Sequence, residues 1–292
     1  MSRTKTKFNF QFLRMPLITL HELEQMTPLF RGSVGNALAR GVMRLLAVDK
    51  VNALYDRHAH LSGADFARSV LEDLEVDYEV FVDTHEVLAQ LDELGEDTPF
   101  ITISNHPYGH IDGLILADYF GHRSNYKMMV NQFLNRIEAL APSLIPVTPT
   151  GVERTVATTE SIMGVRRALA HLRSGGALGL LPAGAISDLS LREGYVCDRE
   201  WQPAIIAFMA KAKVPILPVH FLDRNSTLFY LLGLINWRVR LLRLPSEVFN
   251  KAHRPVRLVV GTLISVEEQQ QYLATHTTEE YGQWLRKRVY GV

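Results

Sequence analysis

The chain has 292 residues, 47% of them hydrophobic and 21% charged, with 31 Lys/Arg balancing 31 Asp/Glu. That is the composition of one large globular domain, or of a domain with an appendage, and its zero net charge excludes a global electrostatic footprint for nucleic acid. One cysteine, Cys197, excludes an internal disulfide and a Cys-rich metal site, and fits a reducing, cytoplasmic compartment.

Residues 1–18 have no clear period, but Arg3, Lys5, Lys7 and Arg14 are interleaved there with Phe8, Phe10, Phe12 and Leu13. Cations among aromatics suit an anionic membrane surface. The segment lacks the apolar core and cleavage site of a secretory leader. No stretch reaches the roughly 18 apolar residues of a spanning helix, so a membrane would be met from its surface. From Ser33, read as an N-cap, apolar residues recur at helical spacing to Leu46, and a second helix fits Ala64–Glu75. Residues 1–76 are therefore read as a helical N-terminal extension.

From Tyr78 the texture alternates. Strands are expected at 78–82, 100–104, 126–130, 144–147, 177–181, 214–220 and 255–261. Helices are expected at 85–94, from about 112, near 132–140, at 159–173 and 202–211, and in a polar tail. This is an α/β domain over 77–292, with a mixed, largely parallel sheet flanked by helices. Pro215 and Pro218 suggest that the strand at 214–220 is an edge or a bulged end. Gly175-Gly176 stops a helix, since no phosphate-binding lysine follows. A basic run from Trp237 to Arg257 is a second candidate for membrane contact.

Ser104-Asn105-His106-Pro107-Tyr108-Gly109-His110-Ile111-Asp112-Gly113 lies where the strand at 100–104 hands over to a helix. Ligands of open α/β sheets bind outside the carboxyl ends of strands. A turn there can bring the His106 imidazole onto the Asp112 carboxylate, which would hold Nδ1–H and leave Nε2 to take a proton. Three readings remain open on spacing: a His–Asp base for acyl transfer, a metal site from His106, His110 and Asp112, and a structural helix cap. There is no Gly-x-Ser-x-Gly elbow for serine hydrolase chemistry.

The decapeptide resembles the Asn-His…Asp motif of the lysophospholipid (glycerolipid) acyltransferase superfamily. Its five residues between His and Asp are similar to the hemolysin-related and ornithine-lipid acyltransferase branch. Leu181-Pro182-Ala183-Gly184-Ala185-Ile186-Ser187 resembles the third motif, usually Phe-Pro-Glu-Gly-Thr-Arg-Ser. Val214-Pro215-Ile216-Leu217-Pro218-Val219 resembles the fourth. Trp201-Gln202-Pro203 and the run from Asn225 to Leu244 extend the likeness across about residues 65–265.

The resemblance implies His106 as general base and Asp112 as its orienting partner. It implies substrate-binding roles for the third-motif Pro182 and Gly184, for Pro218 in the fourth, and for a second-motif arginine, for which Arg154 is the candidate. Beside these, Gly109 and Gly113 would let backbone approach a ligand closely, and Asn105 either holds the turn for substrate or makes a local Asx turn. It implies an acyl-carrier protein or CoA thioester as donor, a lyso-lipid acceptor, no metal and no bound cofactor, at the inner face of the cell membrane. Backbone N–H groups near Gly109 or the helix start would meet the oxyanion. Ala183 and Ile186 stand where glutamate and arginine usually help hold a glycerol phosphate, which turns the expectation toward a lyso-aminolipid. A thioesterase or metal-dependent hydrolase, and a lipid-binding protein without chemistry, are the alternatives. His110 is expected in solvent.

Overall fold

The computed structural model describes residues 31–94, 97–122, 125–147 and 159–291. The basic-aromatic start of the chain and Arg154 lie outside the described residues. The chain divides into two compact units, one ending at Arg57 and one starting at His58.

The first unit holds α1 (Gly32–Leu45) and most of α2 (Val48–His58). α1 begins one residue before Ser33, with Arg31 at its N-cap position, and turns Val34, Leu38 and Leu45 outward.

The second unit contains α3 (Gly63–Asp73), β1 (Tyr78–Val82), α4 (His85–Glu93), β2 (Ile101–Ser104), α5 (Ile111–Gly121), β3 (Tyr126–Asn131) and β4 (Leu144–Val147). It continues through α6 (Thr159–Arg173), β5 (Ala177–Leu180), a small hairpin of β6 (Asp188–Leu189) and β7 (Val196–Cys197), α7 (Pro203–Ala212) and β8 (Ile216–Phe221). Three short helices follow, α8 (Thr227–Ile235), α9 (Trp237–Leu242) and α10 (Leu244–Val248), before β9 (Val256–Val260), α11 (Val266–Leu273) and α12 (Thr278–Tyr290).

Seven strands form one sheet in the order β1-β9-β8-β2-β5-β3-β4. Every pairing is parallel except β8 with β9. The mixed, largely parallel sheet expected from the alternating texture is therefore present, strand for strand. β2 and β5 are buried along their whole length, as strands covered on both faces must be. On one face, Ile101, Ile103, Leu178, Leu180 and Ile216 meet Ile206, Phe208 and Met209 of α7 and Tyr281, Leu285 and Val289 of α12. On the other, Phe120 of α5 stacks on Tyr126 and packs edge-on against Phe100. α3 is tied to α5 by the Arg68 Nε–Asp118 hydrogen bond of 3.0 Å.

Two expectations are corrected. The connection at 132–143 is not α-helical but two 3₁₀ segments, Gln132–Arg136 and Glu138–Ser143. β3 and β4 are parallel neighbours, and Pro142 and the short connection favour tight turns over a full helix. β8 is also not an edge strand: it lies between β9 and β2. Pro218 is tolerated there because its ladder with β9 starts only at Val219↔Val260. Pairing resumes at Ile216↔Ile264 one residue out of step, so the bulge that was the other expectation is present beside Pro218, whose carbonyl accepts from Gly261 N–H at 2.9 Å.

Candidate active site

The loops leaving the carboxyl ends of β2, β5 and β8 converge on residues 105–113. A loop with buried backbone must satisfy its polar atoms, and here distant elements supply the partners. Asn105 at the end of β2 bridges to the end of β8: its Nδ2 donates to the Phe221 carbonyl at 2.9 Å and its Oδ1 accepts from Phe221 N–H at 2.8 Å. The His106 N–H donates to Asp198 Oδ1 at 3.1 Å, and its carbonyl accepts from Ser187 N–H at 2.9 Å. The Pro107 carbonyl accepts from the Tyr230 hydroxyl at 2.8 Å, and the Tyr108 carbonyl from Asn225 Nδ2 at 3.0 Å.

The turn closes on Asp112 in the first turn of α5. His106 Nδ1 lies 2.8 Å from Asp112 Oδ2. The same oxygen accepts Tyr108 N–H at 3.1 Å and Gly109 N–H at 3.3 Å, and Oδ1 accepts Gly113 N–H at 2.9 Å. Asp112 is fully buried. Burial alone would raise its pKa, but the His106 charge and hydrogen bond, with the backbone donors, hold it below the usual carboxylate range. Burial alone would lower the His106 pKa; the Asp112 charge and hydrogen bond, aided by Asp198, outweigh it and raise it. With Nδ1–H of His106 held on the Asp112 carboxylate, the ring is suited to accept a proton at Nε2.

The remaining expected residues take distinct places. Gly109 has φ +88°, and a Cβ there would lie 2.6 Å from Ile186 Cδ1, so the third-motif loop presses directly on the His106 turn. Gly184 has φ +64°, and a Cβ there would run into the Gln202 amide. Pro182 is buried, and its carbonyl accepts Gln202 N–H at 3.0 Å. Pro218 is buried in β8, paired with Ile103. Gly113 contributes an N–H to Asp112 and has room beside it, its nearest foreign atom to a Cβ being Met128 Cε at 3.9 Å. His110 corrects the expectation of a solvent-exposed ring: it is half-buried at the α5 N-cap position, its Nδ1 is buried without a hydrogen-bond partner, and burial lowers its pKa. The N–H groups of Tyr108, Gly109 and Gly113 are taken by Asp112, so they are not the oxyanion donors expected near Gly109. Among the described residues, no three His, Cys, Asp or Glu side chains gather closely enough to hold a metal ion.

Asp198 and Arg240 were not singled out from sequence. Asp198, at the end of β7, takes the Ser187 hydroxyl at 2.6 Å as well as His106 N–H, and so ties the β5 loop to the β2 loop. Arg240 of α9 is 3% exposed. It donates to the Ile186 and Ser187 carbonyls at 2.9 and 3.0 Å, pairs with Asp188 at 2.6 Å and lies over the Phe229 ring. In the sequence Arg240 is one of several cations of the basic run, and nothing there marks it as the buried one. Much of the basic run from Trp237 to Arg257 is internally paired: Arg243 and Lys251 with Glu247, and Arg257 with Asp223.

A buried His–Asp pair at the carboxyl end of a parallel sheet is suited to moving a proton during acyl transfer. The acyltransferase family model matches residues 23–292, and the chain belongs to that family. It is 25% identical over 255 residues to a lyso-glycine lipid O-acyltransferase of Bacteroides thetaiotaomicron, covering 85% of this chain and 86% of that protein. It is 26% identical over 250 residues to a lyso-glycine lipid O-acyltransferase of Phocaeicola vulgatus, covering 83% and 82%. Among the described residues, no helix is long and apolar enough to cross a membrane.

Proposed function

We propose that the protein transfers a fatty acyl group from an acyl-carrier protein or CoA thioester to the hydroxyl of a lyso-lipid, with a lyso-aminolipid as acceptor, at the inner face of the cell membrane. The observation that carries the reaction is the 2.8 Å His106–Asp112 pair, with Asp112 anchored by three backbone N–H groups. His106 Nε2 takes the acceptor's hydroxyl proton as that oxygen bonds to the thioester carbonyl carbon. The tetrahedral intermediate collapses with loss of the C–S bond, and the imidazolium returns the proton to the leaving thiolate. No enzyme nucleophile is needed. The start of α5 offers a positive dipole end for the oxyanion.

Two observations support the acceptor. Both relatives carry lyso-glycine lipid in their names. Ala183 and Ile186 are buried and apolar where the superfamily usually places Glu and Arg, and Ile186 is packed on the Gly109 turn. A site without those polar groups is poorly matched to a phosphate monoester. The test is incubation of the purified protein with a labelled acyl thioester and lyso-glycine lipid, lyso-ornithine lipid and lysophosphatidate in parallel. The aminolipids should be acylated, and His106→Ala should lose about 10²–10⁴-fold in rate. Acylation of lysophosphatidate alone would reject the acceptor, and full activity in His106→Ala would reject the base.

A further inference from the structure

α8 is two-faced. Its inner residues are part of the site's wall: Phe229 is fully buried beneath Arg240, and Tyr230 holds the Pro107 carbonyl through its hydroxyl. Its outer residues Leu228, Leu231 and Leu234 fall at helical spacing, and all three are nearly half-exposed, at 49, 47 and 45%. Ile235 at the end of the helix is 80% exposed, and Trp237, Val239 and Leu242 of α9 continue the apolar surface. A folded chain does not gain by turning so many large apolar groups from neighbouring helices into water. The inner contacts require α8 to sit here, but nothing in them requires leucine on the outer side.

A groove of about 490 Å³ lies at this surface, lined by Leu234, Ile235, Trp237, Asp188, Arg199 and Tyr230 among others. Because Tyr230 also holds the His106 turn, the exposed apolar surface and the catalytic loop are joined by one wall. Residues 224–257 carry seven Arg or Lys and one acid, Glu247; Arg240, Arg243, Lys251 and Arg257 are ion-paired, and Arg224 and Arg254 are exposed beside this surface. Exposed leucines and a tryptophan on a cationic segment match the acyl boundary and headgroups of an anionic bilayer.

We infer that the outer face of α8 and α9 is the surface by which the protein docks on an anionic lipid bilayer, with the groove opening toward the membrane so that the acceptor enters beside Tyr230. The inference rests on the lyso-lipid reading for what enters the groove. The docking itself stands on the exposed face and the charge beside it. Docking through this face does not depend on residues 1–18.

The experiment uses the full chain and Leu228→Glu/Leu231→Glu, a double variant of two outward residues that do not line the groove. Both proteins are sedimented with vesicles of phosphatidylglycerol and phosphatidylcholine, and their thermal melting is compared to establish folding. The variant should lose vesicle binding by at least about tenfold, since it replaces buried apolar contact with charge repelled by the surface. It should lose turnover of a vesicle-embedded acceptor to match, while turnover of a short-chain acceptor dissolved as a monomer is unchanged. Unchanged vesicle binding by the folded variant overturns the inference. So does a parent dimer that the variant splits while its vesicle binding persists, because the face would then belong to a second copy. If neither protein acylates the soluble acceptor, the acyl-transfer reading fails, and the vesicle arm still decides the docking face. Should the double variant not fold, Leu242→Glu is measured in the same way.

Discussion

The His106 turn and the α8–α9 segment are neighbours that spend their side chains in opposite ways. Between Asn105 and Gly113 the His106 N–H and the His106, Pro107 and Tyr108 carbonyls are held by residues from distant elements, and the Tyr108, Gly109 and Gly113 N–H groups by Asp112. Along α8 and α9 the buried polar contacts are few but essential, and a row of leucines faces outward. Position at the ångström scale matters for a base that must meet one proton, and satisfied polar networks supply such rigidity. A surface that meets a fluid lipid phase needs apolar area rather than fixed geometry.

The severest way to break the rigid side is Asp112→Asn. The variant keeps the size of the side chain but removes the charge that orients and supports His106, so transfer should fall by about 10²-fold or more. The pH profile gives the sharper readout. In the parent, rate should be lost as pH falls through the raised His106 pKa, because protonated imidazole cannot accept a proton. Asp112, Asp198 and His110 are the titratable groups facing His106. Without Asp112 the acidic limb should move to lower pH, and an unmoved limb would mean that His106 is not the titrating base. Stability runs the other way. A raised His106 pKa contributes stability that is full below about 6.5, the unfolded value, and is lost as pH rises through the folded value. The depressed Asp112 pKa contributes stability above about 3.9 that is lost as pH falls through its folded value.

Next in size is the polar anchor of the α8 side. Glu247 of α10 is almost wholly buried; it accepts Ser226 N–H at 3.0 Å and the Ser226 hydroxyl at 2.6 Å at the start of α8, and pairs with Arg243 and Lys251. Burial alone would raise its pKa, but Ser226, Asn250 and Lys251 bring it down to about 2. Glu247→Ala leaves Lys251 buried without its carboxylate and should cost about 3–5 kcal/mol in chemical denaturation. In the parent this contribution is present above about 4.3 and fades as pH falls toward about 2. Because α8 carries Tyr230, which holds the Pro107 carbonyl, activity should fall as well. A variant as stable as the parent would show that Glu247 does not anchor the segment.

What could be read from the sequence divides along the same line. All seven sheet strands were legible because each is a β-branched or apolar run between turn residues, and the His106–Asp112 pair was legible because a five-residue loop makes it local. The partners of the loop were not, since Asp198, Asn225 and Tyr230 reach it over separations of 92, 117 and 123 residues, and nothing local marks them. Pro218 was legible in part: it marks a one-residue slip in the pairing beside it, but only the assembled sheet shows that the strand is not an edge. The two-sidedness of α8 was hidden because both its faces are apolar, aromatic inside at Phe229 and Tyr230 and leucine outside, and a helix uniformly apolar in sequence has no polar side to reveal its orientation.

The finest test separates two glycines on either side of the start of α5. Gly109 needs its positive φ, and its missing Cβ is the space into which Ile186 packs. Gly109→Ala should therefore cost about 1–3 kcal/mol through strain and overpacking, and should lower transfer by shifting the N–H groups that hold Asp112. Gly113 has helical geometry, and an added methyl would meet only the flexible tip of Met128 at 3.9 Å. Gly113→Ala should leave stability unchanged or raise it by up to about 1 kcal/mol, because alanine is the better helix former. Its kcat should match the parent's, since the N–H to Asp112 is kept. The acceptor KM is the deciding quantity. If it stays constant, Gly113 serves only to hold Asp112; if it rises while kcat and melting hold, the substrate approaches the backbone at the start of α5, and the rigid turn reads the acceptor as well as activating it.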